Sequence, residues 1–372
     1  MKKLIITSCL FAILGSCEKI EEFPCPDEIP YRTTAAINAE KAERITEIIC
    51  NVMNSQELIG IQVSIRDSLN ESWNISLGFT DLKQKNDLED HHVLRMGSVT
   101  KIYTSALILK LVELGYIELD QDISQYYPEH TNIRGVTIKN LLDHSSGIID
   151  LFTIPSIFIS SSNFPGKQWN PENIAKSCME KELEFSPGSR HSYSNTNYLL
   201  LGLIAEKATN KNVSDLFSGL LLKPYNLNNT YFVPYMKTPS NLVNGYVHHF
   251  ALSLGEWHKT EPDNTSWATV GYTAGAMCAN STDLSSFIHQ LFHGEILEEE
   301  NLQQMISFSG KYGSGLFRMN VNGRPHWGHE GEITGFESIV AYDPEDKITI
   351  SICCNTTPFS IKELLNEIRS EL

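Results

Sequence analysis

The sequence has few basic residues for its length. Its 372 residues include 29 Lys and Arg against 45 Asp and Glu, which gives a formal net charge of −16. No basic patch or run interrupts this acidic background. Proteins that bind nucleic acid concentrate positive charge toward the phosphates, so the composition argues against a nucleic-acid partner.

Long hydrophobic runs are also scarce. The main one, residues 4–14, follows Lys2 and Lys3 and is shorter than the roughly 20 apolar residues that a membrane-spanning helix needs. A short apolar run behind two lysines is typical of a signal peptide, which we place at residues 1–16. A buried apolar helix is the alternative interpretation of this run.

The end of this segment, Leu-Gly-Ser-Cys at residues 14–17, resembles a bacterial lipobox. The resemblance implies cleavage before Cys17 and lipidation of its sulfur, whereas an ordinary secretory signal would leave no lipid. Residues 17–36 are polar and proline-containing, and we interpret them as a tether. We therefore expect a lipid-anchored protein of the bacterial cell envelope, at the outer membrane or the periplasmic face, with the lipid as its only membrane attachment.

Cysteine is present without a metal-binding pattern. Of eight cysteines, six remain after Cys9 and Cys17 are set aside, and they form neither Cys-x-x-Cys nor a zinc pattern. An exported location permits disulfides, but the spacing does not define a pair. We expect most of the six to be small buried hydrophobes, with Cys353 and Cys354 on opposite faces of a strand. Neither a metal nor a cofactor is indicated.

The first stretch with recognisable chemistry is a Ser-x-x-Lys motif at the start of a predicted helix. Ser98 precedes apolar residues that recur at a helical period from Ile102 to Val112. Lys101 follows by three residues, so its amine shares a helix face with the Ser98 hydroxyl. A serine nucleophile needs a base, and a lysine of lowered pKa can supply one. Alone, the motif is weak, since Ser16 and Lys19 also match it.

A second stretch joins Tyr193 to Asn195 in the sequence Tyr-Ser-Asn. A tyrosine near a cationic lysine has its phenolate favoured and can act as a general base and then as an acid. Asn195 can steady a substrate carbonyl, or it can cap the helix that we predict at residues 199–209. Upstream, His144 lies beside serines, and we interpret it as a structural histidine rather than a hydrolase base.

A third stretch, His329-Glu330-Gly331-Glu332, lies among alternating segments near the carboxyl terminus. Gly331 would let a substrate backbone approach a strand, and the following backbone N–H could complete an oxyanion hole. The segment 326–328 also fits His-x-Gly. A shift of three residues would turn the chosen histidine to the other face of the strand.

Together these stretches resemble the serine β-lactamase-related family of penicillin-recognising hydrolases. That family carries Ser-x-x-Lys, Tyr-x-Asn and Lys/His-x-Gly in this order. The likeness is to the branch of class C β-lactamases, D-Ala-D-Ala carboxypeptidases, D-aminopeptidases and esterases, and it covers roughly residues 38–372. The longer pattern Gly-His-x-Gly-x-x-x-Gly-Phe at 328–336 favours His329 over His326.

The resemblance implies an α+β fold of the β-lactamase/transpeptidase type, with an antiparallel sheet and flanking helices built from both chain ends. We expect one hydrolase domain at residues 37–372. Its α/β part would comprise 37–100 and 270–372, and a mostly helical part, 101–269, would be inserted between them. The strands that we predict at 61–80 and 312–354, with helices between, agree with this arrangement.

The resemblance also assigns roles. Ser98 would be the acylated nucleophile, and Lys101 and Tyr193 would share the base work. Asn195, His329 and Gly331 would hold substrate, and the backbone N–H groups of Ser98 and Glu332 would form the oxyanion hole. The list of expected site residues is Ser98, Lys101, Tyr193, Asn195, His329, Gly331 and Glu332.

We therefore expect an exported serine hydrolase that acts through an acyl-enzyme on peptides, amides or esters, including peptidoglycan stem peptides or β-lactams as candidate substrates. The family's classical β-lactamases have Lys where this chain has His329, and a neutral imidazole holds a carboxylate less firmly. This difference favours peptidase or esterase activity over β-lactam hydrolysis. The alternative is a catalytically inactive module that binds cell-wall fragments. The sequence has no Gly-x-Ser-x-Gly elbow of an α/β-hydrolase.

Overall fold

A computed structural model describes Cys25, Thr34 and residues 37–83, 86–234, 237–248, 257–260 and 265–372. The predicted signal peptide and the predicted lipidation site Cys17 lie outside these residues, as does most of the predicted tether. Within the described ranges, we find no helix with the length and apolarity required to cross a membrane.

The secondary structure alternates between short strands and helices, with the longest strands near the two ends of the chain. The helices are α1 (Ala39–Ser55), α2 (Thr100–Glu113), α3 (Ile138–Leu142), α4 (Pro155–Asn163), α5 (Pro171–Met179), α6 (Asn195–Thr209), α7 (Val213–Phe217), α8 (Thr265–Gly271), α9 (Ser281–Phe292), α10 (Glu299–Met305) and α11 (Ile361–Ser370). The strands are β1 (Gly60–Arg66), β2 (Ser72–Asp81), β3 (Asn86–Asp87), β4 (Leu94–Arg95), β5 (Thr230–Phe232), β6 (Gly245–His248), β7 (Trp257–Thr260), β8 (Met277–Ala279), β9 (Phe317–Val321), β10 (Arg324–Ile333), β11 (Phe336–Asp343), β12 (Ile348–Cys354) and β13 (Thr356–Thr357).

Both chain ends contribute to one seven-stranded antiparallel sheet. Its order is β3-β2-β1-β12-β11-β10-β9, so the amino-terminal strands pair with the carboxyl-terminal ones through β1 and β12. Strands β10 and β11 form a hairpin that a two-residue turn closes, with Gly335 at φ +85°. The α+β fold class predicted from the sequence is confirmed.

Each face of this sheet packs against a different set of helices. On one face, α1 and α11 bury residues such as Ile45, Ile49 and Leu364 against the sheet. On the other face, α9 joins the larger core that contains α2 and α6. Cys354 belongs to the first core and Cys353 to the second, which is the opposed arrangement that strand alternation predicts.

Two cysteines that the sequence could not pair form a disulfide. Cys25 is bonded to Cys50 in α1, and this bond fixes part of the predicted tether against the folded domain. The other described cysteines, Cys178, Cys278, Cys353 and Cys354, are free and buried.

Polar residues precede several helices, and one helix start differs from the sequence prediction. The Asn38 side chain accepts the Lys41 N–H and begins α1. Helix α6 begins at Asn195 rather than near Leu199, because Ser194 takes the extended cap conformation. Helix α9 is capped by Asn280, since the Asn280 side chain accepts the Asp283 N–H at 2.8 Å.

A small sheet places the first motif beside the turn that precedes β8. Its strand order is β4-β8-β5, and the Met96 N–H donates to the Met277 carbonyl at 3.0 Å. The turn that precedes β8, residues 271–275, thereby lies against the start of α2. This contact places a backbone carbonyl beside the Ser-x-x-Lys motif.

The core between the large sheet and helices α1 and α11 offers a test of the fold that does not alter the Ser-x-x-Lys region. Ile352 on β12 is fully buried in the core beneath α1 and α11. Ile352→Ala should lower the free energy of unfolding by about 3 kcal/mol, because it removes buried apolar volume. Urea denaturation followed by circular dichroism measures this.

Leu69→Ala is the control, since Leu69 is 69% exposed and its loss should change stability by less than about 0.5 kcal/mol. Equal effects of the two substitutions would contradict the assignment of Ile352 to the core.

Candidate active site

Ser98 lies in a 3₁₀ turn, Gly97–Val99, immediately before α2. Its side chain is half-buried. Lys101, in the first turn of α2, places its Nζ atom 3.0 Å from the Ser98 Oγ atom. The structure therefore brings the two residues of the first motif into direct contact.

The Lys101 side chain is fully buried, which is unusual for lysine. Three oxygens surround its Nζ atom: the Ala274 carbonyl at 2.7 Å, Asn195 Oδ1 at 2.8 Å and Ser98 Oγ at 3.0 Å. These contacts give the buried amine hydrogen-bond partners in place of water. Without them, burial of the amine would cost free energy.

Burial lowers the pKa of Lys101 to about 7, although the Asp150 carboxylate acts in the opposite direction. Removal from water disfavours the charged form of an amine. Above this pH most of the lysine is neutral, with a lone pair that can accept a proton. Lys101 can therefore act as a general base at ordinary pH.

Tyr193 donates its phenolic O–H to Ser98 Oγ at 2.9 Å. Burial raises the pKa of Tyr193 well above its ordinary value, and the hydrogen bond to Ser98 offsets this only in part. This reverses the effect on the phenolate that we expected from the nearby lysine. The environment favours a neutral phenol, which is suited to donating a proton rather than to accepting one.

Asn195 connects the lysine to a residue that our sequence analysis missed. The Asn195 Nδ2 atom donates to Asp150 Oδ2 at 2.9 Å, and the Asn195 backbone N–H donates to the same oxygen. Asp150 is 45 residues away in the chain and resembles an ordinary helix cap, since its other oxygen accepts the Phe152 N–H. In the sequence, its position six residues after His144 is the one signal that could have pointed to it.

His329 is buried beside Tyr193 and Tyr312 and is not among the described residues that line the cleft. Its side chain is 1% exposed, and its Nε2 atom is 3.2 Å from the Tyr312 hydroxyl. Burial, with a further contribution from Lys101, lowers the pKa of His329 to about 3, so the imidazole is neutral. In this position the ring can shape the site, but it does not line the cleft where a substrate would lie.

His326, the alternative of the third motif, belongs to a different cluster. Its Nε2 atom is 3.6 Å from Asp343 Oδ2, and Asp343 also pairs with Arg369. The structure therefore places His329, and not His326, beside Tyr193, with ring centroids 6.2 Å apart.

His144 packs against Tyr193 as a structural group. It is fully buried, its ring centroid is 4.3 Å from that of Tyr193, and its Nδ1 atom accepts the Ser194 N–H at 3.2 Å. Burial, followed by the charge of Lys101, lowers the pKa of His144 well below its ordinary value. A neutral buried ring fits the structural role that the sequence indicates.

Strand β10 contacts the nucleophile turn backbone to backbone. A Cβ atom added at Gly331 would lie 2.0 Å from the Met96 carbonyl oxygen and 3.0 Å from the Ser98 nitrogen. A Cβ atom added at Gly97 would lie 2.8 Å from the Glu332 nitrogen. The two nitrogens expected to form an oxyanion hole are therefore close to each other and to Ser98.

In front of Ser98 lies a cleft with a cavity volume of about 390 Å³. Apolar and aromatic groups dominate its described walls, and Phe152 and Trp267 approach each other there, with ring centroids 5.5 Å apart. Among the described residues that line it, Glu332 is the one with a formal charge. The described part of the chain holds no group of three or more acidic, histidine or cysteine residues placed to bind a metal ion.

The close approach at Gly331 leads to a prediction. Gly331→Ala should leave the protein folded but lower acylation of Ser98 at least about 100-fold, because the new methyl group would separate β10 from the nucleophile turn and spoil the oxyanion site. The rate of covalent labelling by a fluorophosphonate, followed by intact mass, measures this.

Gly166→Ala is the matched control, since an added Cβ atom there meets nothing within 4 Å. Labelling of Gly331→Ala at the rate of the control would contradict the proposed close contact.

Comparisons with known proteins bear on the family and the fold of this chain. The sequence model of the family described as Beta-lactamase matches residues 45–369. Protein flp of Staphylococcus aureus (strain N315) is 24% identical over 347 residues, which are 90% of this chain and 67% of that protein.

Among solved structures, D-amino acid amidase from Ochrobactrum anthropi SV3 superposes with a TM-score of 0.78 at 23% identity, covering 90% of this chain and 98% of that one. A penicillin binding protein from Bacillus halodurans has a TM-score of 0.74 at 20% identity, with coverages of 87% and 98%. At these identities the structural likeness shows the fold. Because the family match spans most of the sequence, the chain belongs to the beta-lactamase family.

Proposed function

We propose that this protein is an exported serine hydrolase that forms an acyl-enzyme at Ser98 and acts on peptide, amide or ester substrates. The observation that carries the proposal is the hydrogen-bond arrangement at Lys101. The Ala274 carbonyl can only accept a hydrogen bond, and Asn195 presents its Oδ1 atom, which also only accepts. A neutral amine has two N–H bonds, and these two acceptors use both. Its lone pair then faces Ser98.

The reaction follows from these positions. Lys101 takes the proton of Ser98 while Oγ attacks the carbonyl carbon, and the N–H groups of Ser98 and Glu332 stabilise the oxyanion. When the tetrahedral intermediate collapses, Tyr193 gives its proton to the leaving amine or alcohol and recovers one from the Lys101 ammonium. Water then hydrolyses the ester at Ser98, which releases the acid and restores the hydroxyl.

The charge of the cleft favours some substrates over others. No lysine or arginine is among its described lining residues, whereas the Glu332 side chain is exposed at its edge. A substrate carboxylate next to the scissile bond would lack a counterion there, and a substrate ammonium would meet a carboxylate. This favours amides, esters and peptides with a free amino group over carboxypeptidase substrates and β-lactams, which carry a carboxylate.

The structural neighbours fit this preference. One is a D-amino acid amidase in complex with L-phenylalanine amide, and another is a D-stereospecific amidohydrolase from Streptomyces sp.. The aromatic pair Phe152 and Trp267 would suit an apolar side chain on the acyl part of such a substrate. We therefore propose D-aminopeptidase-like or amidase-like activity as the first substrate class to assay, with esters next.

We also propose that the protein is anchored to the cell envelope by lipid at Cys17. The disulfide between Cys25 and Cys50 supports export, because such bonds form and persist in oxidising compartments. Metabolic labelling with a lipid precursor should mark the full-length protein and fail to mark Cys17→Ser. Equal labelling of both, or labelling of neither, would refute the anchor.

The mechanism is tested by intact mass after exposure of the purified protein to a fluorophosphonate. The unaltered protein should gain one phosphonyl group, with a rate that rises through about pH 7 as Lys101 becomes neutral. Ser98→Ala and Lys101→Ala should show no gain, and Tyr193→Phe should react about 100-fold more slowly.

A folded protein that gains no mass with this reagent or with a penicillin would favour the alternative, an inactive module that binds cell-wall fragments. Full reactivity of a well-folded Lys101→Ala variant would refute the assignment of the base.

The substrate preference is tested with Glu332→Gln. Removing this exposed charge should raise kcat/KM for a substrate with a carboxylate beside the scissile bond relative to one with a free ammonium, by a few-fold, since surface charges act weakly. Hydrolysis of D-phenylalanine amide and of an acylated D-Ala-D-Ala peptide provides the ratio.

Glu330→Gln is the matched control, because Glu330 pairs with Lys362 and is not among the residues that line the cleft. An unchanged ratio in Glu332→Gln would remove Glu332 from substrate selection.

A further inference from the structure

We propose that Asp150 is a positioning residue that fixes the Asn195 amide and thereby directs the lone pair of Lys101 toward Ser98. The proposal rests on the serine hydrolase function above and adds a residue to it. Asp150 makes no hydrogen bond to Ser98 and is not itself among the described residues that line the cleft, so its effect would pass through Asn195.

The first step is the orientation of the Asn195 side chain. An amide can turn over and exchange its oxygen and nitrogen, so its hydrogen-bond partners decide which atom faces which neighbour. Asp150 Oδ2 accepts from Asn195 Nδ2 at 2.9 Å, and an ionised carboxylate can only accept. The Asn195 Oδ1 atom must then face Lys101, where the distance to Nζ is 2.8 Å.

The second step is what a turned amide would do. If Nδ2 faced Lys101, a neutral amine would have to accept that N–H with its lone pair, or two donors would face each other. In either case the lone pair would no longer be held toward Ser98. The orientation that Asp150 imposes is therefore the one in which Lys101 can act as a base.

The third step is the structure that holds Asp150 itself. Its Oδ1 atom accepts the Phe152 N–H at 2.8 Å at the start of the 3₁₀ turn Leu151–Thr153, and Oδ2 also accepts the Asn195 backbone N–H at the start of α6. Both carboxylate oxygens are thus occupied by donors that belong to separate elements. The carboxylate has little freedom to leave the amide.

The charge of Asp150 also acts on Lys101. The other titratable groups around the amine are Tyr193 and Tyr198, whose ring centroids lie 4.9 Å and 5.6 Å from Nζ, and His144 and His329. Burial keeps all four neutral, because it raises the pKa values of the tyrosines and lowers those of the histidines. Asp150 is the described carboxylate whose charge raises the pKa of Lys101 against burial.

The test is Asp150→Asn in the full-length protein. Asparagine also caps helices, so the turn at Leu151 should form as before. The new side-chain amide has only one accepting oxygen for two donors. Either its N–H groups face Asn195 Nδ2, so that two donors meet, or the Phe152 N–H loses its acceptor. We expect the Asn195 amide to turn over as a result. Phosphonylation of Ser98 by a fluorophosphonate is followed by intact mass from about pH 5 to about pH 9, a range that brackets the titration of Lys101.

We expect two changes in Asp150→Asn. The plateau rate should fall roughly 10- to 100-fold, because the base is misdirected. The acidic limb of the profile should move to lower pH, because the charge that favours the ammonium is gone. A merely structural role could lower the rate but would not move the limb.

Asp143→Asn is the matched control in the same loop. The Asp143 carboxylate bonds to the Ser145 backbone and side chain rather than to Asn195, so this variant should keep the wild-type limb. Asp150→Glu retains the charge on a longer side chain, and it should lower the rate while it leaves the limb in place. If Asp150→Asn does not fold, Asp150→Ser carries the test, because serine also caps helices and removes the charge, and it should move the limb in the same direction.

The outcomes separate the two proposals. No labelling of the wild-type protein would refute the serine hydrolase function itself. Normal labelling of the wild type with a superimposable profile for Asp150→Asn would refute the role of Asp150 alone. A limb that shifts equally in Asp150→Glu or in Asp143→Asn would also overturn it, since the shift would then not follow from the charge at position 150.

Discussion

The burial of one amine is the constraint on which the rest of the site depends. Lys101 has no exposed surface, and its burial is tolerated only if the protein supplies acceptors for its N–H bonds. Those acceptors come from the turn before β8 and from the first residue of α6, so two distant parts of the chain must meet at α2. The same burial brings the pKa of Lys101 to about 7. The free-energy cost of desolvation thus weakens the basicity of the amine until it is largely neutral at ordinary pH, yet still able to accept a proton.

The surroundings of the lysine are polar in composition but almost without charge. Tyr198, Tyr312, His144 and His329 pack around Tyr193, and burial keeps each of them neutral. Rings of this kind fill volume as hydrophobic groups do, while their heteroatoms still offer hydrogen bonds. A positively charged histidine in this shell would repel the lysine and hold its pKa lower still. Because the described rings are neutral, the charge of Asp150 is left to oppose the effect of burial on the pKa of Lys101.

Much of this structure could be predicted from the sequence, for reasons that differ by element. Strand alternation predicted β1, β11 and β12, although all three are buried on both faces, and the pairing of the chain ends followed from the family pattern. The contact of Ser98 with Lys101 is local and follows from helix geometry. Asp150 was missed because its contact with Asn195 is long-range and its local pattern is that of any helix cap. The burial of His329 and the pKa of Tyr193 were also beyond sequence reasoning, since both depend on packing from several elements.

The disulfide between Cys25 and Cys50 has a consequence for where the enzyme can work. It fastens the chain to α1 only eight residues after Cys17. Eight extended residues span at most about 29 Å, compared with roughly 70 Å for the twenty residues of the whole predicted tether. A lipid at Cys17 would therefore keep the domain within about one protein diameter of the bilayer. With the disulfide reduced, the same domain could sample a layer more than twice as deep, so the redox state of one bond would set the radius over which substrates are reached.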